Sequence, residues 1–268
     1  VYNPAQYRDY VHRGGFDYLY DKVGLYDALR AVTRHGASAQ CLTRCWQQVD
    51  DIRTHMLHFL ENHDEQRLAS DFFAGDARRG RAPLLVSALM DYSPMMIYFG
   101  QELGERGMDA EGYSGRDGRT TIYDYWTVDT VSRWRNGGKF NDKKLTGDEK
   151  RLREFYARVL ALRESMPVLR SGHFYDLMYV NRHLHRQYAF VRQLEKQVLL
   201  VIANFDDQEA NLSIHLPEEF FRFIGQKGQT EVRALDLLSE EETQVDFTPD
   251  RPLCATVLPW NGLVLSID

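Results

Sequence analysis

Two short, largely apolar runs constrain this chain most: Met56-Leu57-His58-Phe59-Leu60 and Met95-Met96-Ile97-Tyr98-Phe99. Each breaks off abruptly into polar residues, Glu61-Asn62-His63-Asp64-Glu65 after the first and Gly100-Gln101-Glu102 after the second. A helix-length stretch lies between them, with Asp76 placed to cap its start and its end near Asp91. Strands covered by helices on both faces read as continuous apolar runs, and parallel strands need a crossover of this length. The pattern extends upstream. Pro4 to Arg13 suits a helix that Gly14-Gly15 stops, and Phe16 to Tyr20 reads as a further short strand. Val23 to Thr33 and Ala39 to Thr54 read as helices, with Leu25, Leu29 and Val32 on one stripe. Strand, helix, strand, helix implies a parallel α/β sheet.

A long polar and aromatic loop is expected over about Glu105 to Thr146, followed by a helix from Asp148 to about Met166. Its inward residues are Leu152, Phe155, Val159 and Leu162. After Pro167 the pattern changes. From His173 onward come short segments with turn signals: Tyr188 to Val191, Val198 to Ala203, Leu212 to Ile214, Thr256 to Leu258 and Leu263 to Leu265. These predict a second, antiparallel domain, most simply a small β-sandwich. The expected boundary divides residues 1–168 from 169–268.

Composition narrows the function. A formal net charge of −6 and a pI of about 5.9 argue against an electrostatic nucleic-acid or anionic-membrane partner. No apolar run approaches the roughly 18 residues that span a bilayer. The cysteines are Cys41, Cys45 and Cys254, and no neighbouring His or second Cys pair completes a metal site. They read as reduced structural residues. The opening Val1-Tyr2-Asn3-Pro4 has no initiator Met, which reads as a segment of something longer or as a matured N-terminus.

Polar residues directly after an apolar strand lie at the C-terminal rim of a βα barrel, where active sites are built. Asn62-His63-Asp64 stands there, and carboxylate, imidazole and amide together can hold several hydroxyls of a sugar ring. By pattern alone the same tripeptide reads equally as a turn with a helix cap. Phe59-Leu60-Glu61-Asn62-His63-Asp64 resembles the seventh-strand motif of the α-amylase family (glycoside hydrolase family 13): Phe, two variable residues, then Asn-His-Asp. Arg67, three residues on, matches an Arg that many members carry. Met96 to Gly104, with Pro94 ahead of it, resembles the eighth-strand motif, at the family's one-helix spacing.

The resemblance implies the C-terminal portion of a (β/α)8 TIM barrel, strands six to eight at Phe16–Tyr20, Met56–Leu60 and Met95–Phe99, followed by an antiparallel β-sandwich. It implies retaining hydrolysis of α-1,4-linked glucans, with an attacking carboxylate and a protonated one about 5 to 5.5 Å apart. Both lie upstream in the family, and Val1-Tyr2 suits the positions just after the acid. Asp64 matches the third carboxylate, which holds two hydroxyls of the cleaved sugar and stabilises the transition state. His63 is implied to bind the same sugar, with Asn62 orienting the loop or touching substrate and Arg67 touching substrate or standing beside a carboxylate. Tyr20, at the strand-six rim, could reach sugar, whereas Asp21-Lys22 reads equally as a helix start. Glu61 and Glu65 read as solvated or structural, and Gln101 and Glu102 as loop supports. Tyr113, Tyr123, Tyr125 and Trp126 in the long loop read equally as stacking platforms for glucose and as aromatics pinning the loop. No cofactor is expected from these residues, and the calcium common in the family is left to upstream segments. The expected partner is an α-glucan or maltooligosaccharide, with self-association through an open sheet edge. A transglycosylase or branching enzyme of the same family, or a non-catalytic amylase-like scaffold, are the alternative readings.

Overall fold

The computed structural model describes residues 3–109, 116–123 and 126–267. Asn3 accepts the Ala5 amide at a short 3-10 turn, Pro4–Gln6, which leads into α1 (Tyr7–His12). Strand β1 is only Leu19–Tyr20. Asp21 then caps a π-turn, Lys22–Tyr26, by accepting the Leu25 amide at 2.9 Å, and α2 (Asp27–His35) continues from it. Next come α3 (Cys41–Gln48), a 3-10 segment Asp50–His55, and β2 (Met56–Phe59). Asp76 accepts the Arg78 amide, but caps a 3-10 turn, Ala77–Gly80, rather than α4 (Arg81–Leu89) itself. Strand β3 is Met95–Met96. The three strands pair in parallel in the order β1-β2-β3, the arrangement expected of their apolar runs.

They are shorter than the sequence suggests. Phe16 and Tyr18 lie outside β1 and are exposed, and Ile97 to Phe99 have left the ladder. Among the described residues β1 and β3 each have one paired edge, so nothing holds the outer residues in extended pairing.

The expected long loop contains a helix, α5 (Asp129–Arg135). Helix α6 (Gly147–Ser165) starts at a capping box, Thr146 accepting the Glu149 amide while Glu149 accepts the Thr146 amide. Its buried residues include Leu152, Tyr156 and Val159, so Tyr156 takes the deep position expected of Phe155. Helix α7 (Pro167–Ser171) marks the change of architecture.

The remainder is antiparallel: β4 (His173–Asp176), β5 (Gln187–Leu194), β6 (Gln197–Asn204), β7 (Ala210–Ile214), α8 (Glu218–Ile224), β8 (Gln229–Asp236), β9 (Glu242–Phe247), β10 (Leu253–Val257) and β11 (Gly262–Ile267). A six-stranded sheet runs β4-β5-β6-β11-β8-β9, and β7 and β10 form a separate ribbon.

Helix α4 joins the two architectures. Its residues from Ala82 to Leu89 are all buried, as a helix apolar all round requires. It packs against β2, α6, β6 and β11. Its last carbonyls therefore end in the interior, where each needs a donor. Arg192 of β5 donates to the carbonyls of Leu89 and Met90 at 3.2 and 2.8 Å, and to those of Leu169 and Gly172 at 3.1 and 2.8 Å. Arg163 of α6 donates to Ala88 and Asp91 carbonyls at 2.6 and 3.0 Å and to that of Ser93. Asp176 makes a second tie, accepting from Thr43, Trp46 and Tyr188 at 2.7, 2.7 and 3.0 Å. The main apolar core is continuous across residue 168.

Candidate active site at the rim of the parallel sheet

Beyond β2 the chain makes a tight turn. The Asn62 side-chain oxygen accepts the amides of Asp64 and Glu65, both at 2.8 Å. That oxygen is committed to the backbone, so Asn62 shapes the turn. The effect is to push the next two side chains outward. The Asp64 carboxylate is 75% exposed and the His63 ring 46%, with Nε2 lying 3.4 Å from the Asp64 Oδ2. The nearest acids on either side, Glu61 and Glu65, turn inward. Glu65 meets Lys22 at 3.4 Å, Arg30 at 3.9 Å and the Tyr26 hydroxyl at 3.3 Å.

Glu61 is fully buried, which excludes the solvated alternative. Its carboxylate accepts from the Arg67 Nη1 and from the Leu68 amide, each at 2.8 Å. Burial pushes the Glu61 carboxyl up from the ordinary range, and the Arg67 guanidinium pulls against that shift. Arg67 is 0% exposed. Its guanidinium lies 4.3 Å from the Tyr98 ring centroid and 4.6 Å from that of Phe99. It also donates to the Phe99 carbonyl and the Thr120 hydroxyl, both at 2.8 Å. The expectation of Arg67 as a substrate contact is therefore corrected. It has no surface to offer a sugar, and instead ties the end of β2 to the segment after β3.

The long loop returns to this rim as a strap. Arg67 donates its amide to the Gly118 carbonyl at 2.6 Å, and Arg119 Nε donates to the Asp64 carbonyl at 2.7 Å. The approach is close enough to need glycine. A Cβ on Gly118, where φ is +80°, would sit 2.9 Å from both the Ser70 Oγ and the Phe72 ring. Arg119 is itself held by Asp117 at 3.2 Å. Sequence reasoning passed over Glu61, Arg119 and Thr120 as site-forming residues. The signal for Glu61 was the acid placed directly behind an apolar strand, while Arg119 sits among turn residues that predict nothing.

Tyr20 is 44% exposed, its ring meeting Phe59 edge-on at 5.1 Å and its hydroxyl 4.0 Å from the Met96 sulfur. It thus stands across the ends of all three strands. Asp21 is buried as a cap, which settles the Asp21-Lys22 alternative in favour of a helix start. Gln101 is buried and donates to the Tyr156 hydroxyl at 3.1 Å while accepting the Tyr98 amide, a loop support as expected. Tyr123, 57% exposed, and Trp126 follow the strap on the surface. Tyr113, Tyr125, Val1 and Tyr2 lie outside the described residues. Two cavities of about 540 and 560 Å³ include neither Asp64 nor His63, which stand on an open rim. Among the described residues no three or more His, Cys, Asp or Glu side chains gather as a metal site, and no helix is long and apolar enough to cross a membrane.

No family model matches the sequence, and no curated protein does. Solved structures do. AmyP crystallised with maltose aligns at a TM-score of 0.69 and 15% identity, over 99% of this chain and 54% of that one. The α-amylase of Geobacillus thermoleovorans, crystallised with acarbose, gives 0.67 and 16%, over 100% and 52%. That of H. orenii gives 0.65 and 18%, over 100% and 52%. The chain shares the fold of α-amylases along its whole length. It spans about half the length of these solved structures.

Proposed function

We propose that this chain is part of a retaining α-glucan hydrolase of the α-amylase family, with Asp64 as the carboxylate that holds the sugar undergoing cleavage. In this reading β1, β2 and β3 are barrel strands six, seven and eight, residues 1–168 belong to the catalytic barrel, and residues 169–268 form the C-terminal β domain. The single observation that carries it is the turn after β2, which presents His63 and Asp64 outward while Glu61 is buried and Glu65 is drawn aside by Lys22 and Arg30. A scaffold would gain nothing from that arrangement, which disfavours a purely structural role.

Asp64 accepts two hydroxyls of the ring, and His63 donates to the same ring. Hydrogen bonds that shorten as positive charge develops at the anomeric carbon lower the barrier, whereas bonds of constant strength only tighten binding. Tyr20 offers an aromatic face at the rim, and Tyr123 a second on the loop. The ligands in the AmyP and Geobacillus thermoleovorans structures, maltose and acarbose, are of the chemical class this reading assigns. The motifs common to hydrolases and transglycosylases leave the acceptor, water or sugar, to the loops around them.

The attacking carboxylate and the acid of the family match no position in these 268 residues. The polypeptide on its own is therefore expected to give no turnover of soluble starch or a chromogenic maltoside above the uncatalysed rate. Turnover comparable with a complete α-amylase would overturn the assignment of roles.

The sheet edges support a second expected result. Phe16, Tyr18, Tyr20 and Phe99 are exposed in or near β1 and β3, each of which has one paired edge among the described residues. Apolar surface next to free backbone donors associates. Sedimentation of the isolated chain should give a mass that rises with concentration above 31.3 kDa. A monodisperse monomer across a hundredfold range of concentration, about micromolar to tenths of millimolar, would contradict this.

A further inference from the structure

The β7–β10 ribbon packs against the six-stranded sheet through β10, which meets β6 and β9. Register fixes which side chains face which layer. On β11, Leu263, Leu265 and Ile267 lie on one face, while Gly262 on the other faces Leu85 of α4. Leu265 pairs with Asp236, and Ala234 with Thr243, so Thr243 and Val245 share the face of Leu265. Above this floor the ribbon presents Leu212 and Ala255, a cross-strand pair that remains only half-buried although flanked by buried Ile214, Leu253 and Val257. Between floor and roof lies a cleft of about 560 Å³, within the range of small-molecule sites. It shares no residue with the rim around Asp64.

Its charge is one-sided. Asp236, Glu241 and Glu242 line the cleft, and no Lys, Arg or His among the described residues does. Asp236 is consumed by the amides of Val264, Leu238 and Ser239 and by the Ser239 hydroxyl. Glu242 pairs with Arg233 on the outside. Glu241 is exposed at the mouth, and no cation among the described residues pairs with it. We infer that the cleft between the β layers binds a small-molecule amine with a short aliphatic chain. The chain lies between Leu212, Ala255, Leu263 and Leu265, and the ammonium sits at Glu241.

Titration of the full 268-residue chain with hexylamine, followed by calorimetry and by amide chemical shifts, tests this. The expected result is saturable binding with a dissociation constant on the order of 1 mM, with shifts confined to β7, β10, β11 and the β8–β9 turn. Hexan-1-ol and hexanoate should bind at least about fivefold more weakly. Ala255→Phe, which fills the cleft, should weaken hexylamine about tenfold or more at an unchanged melting temperature. Glu241→Gln, at an exposed position, should keep the fold and abolish the preference for hexylamine over hexan-1-ol. Lack of saturable binding, equal affinity for hexanoate, or a preference intact in Glu241→Gln would each overturn the inference.

Discussion

Replacing Arg192 with methionine is expected to cost about 4 kcal/mol of stability. The guanidinium sits in the interior and satisfies four carbonyls, two at the end of α4 and two around α7. Methionine fills much of the same volume and donates nothing, so those carbonyls would stay buried without partners. Burial already pulls the Arg192 pKa down to about 10, a sign of how much hydration the group has given up in return for these bonds. For a chain of this size the loss corresponds to a fall of about 10 °C in melting temperature. Arg151→Ala serves as the control, because its pair with Asp148 is exposed on both sides and should change stability by less than about 0.5 kcal/mol. Scanning calorimetry on the two variants checks the contrast. Equal small losses would mean that α4 is not held by its buried end.

The second large effect belongs to the Glu61–Arg67 pair. Arg67→Met leaves a carboxylate in the interior with one amide for company, and Glu61→Leu leaves an arginine there. Either is expected to destabilise by about 3 to 5 kcal/mol. The double variant should recover more than half of the summed loss, since neither charge is then stranded. Recovery stays incomplete because Arg67 also holds the Phe99 carbonyl and the Thr120 hydroxyl. Arg67→Lys should behave like Arg67→Met. An ammonium reproduces neither the planar contact with Tyr98 and Phe99 nor the fan of donors. Chemical denaturation of the four variants measures this, and strictly additive losses would remove the pair from the account.

These two cases show where the sequence is readable. Continuous apolar runs placed β2 and β3, and the 3.6-residue repeat placed α6, because those signals are local. The ends of β1 and β3 were misjudged because strand length depends on a neighbour across the ladder. Strands β8 and β9 went unread because much of each is exposed, so few apolar residues mark their alternation. Helix α5 was hidden in a polar loop with no buried residue. Helix α8 had usable signals, namely Pro217 before two acids, Phe220, Phe221 and Ile224 on a stripe, and Gly225 in the left-handed region at its end. At the rim, the positions of Asp64 and His63 followed from the end of an apolar strand. The burial of Arg67 did not, since its partners at 61, 99 and 120 are brought together only by the tertiary fold.

The most direct measurement is an NMR titration of the chain with maltotriose, comparing wild type with Asp64→Asn. Asp64 is exposed and supports no buried contact through its side chain, so the variant should fold unchanged. Wild type should show saturable shifts at His63, Asp64 and Tyr20, and the variant at least about tenfold weaker binding. Shifts that ignore this rim, or equal affinity in the two proteins, would contradict the placing of a sugar at Asp64.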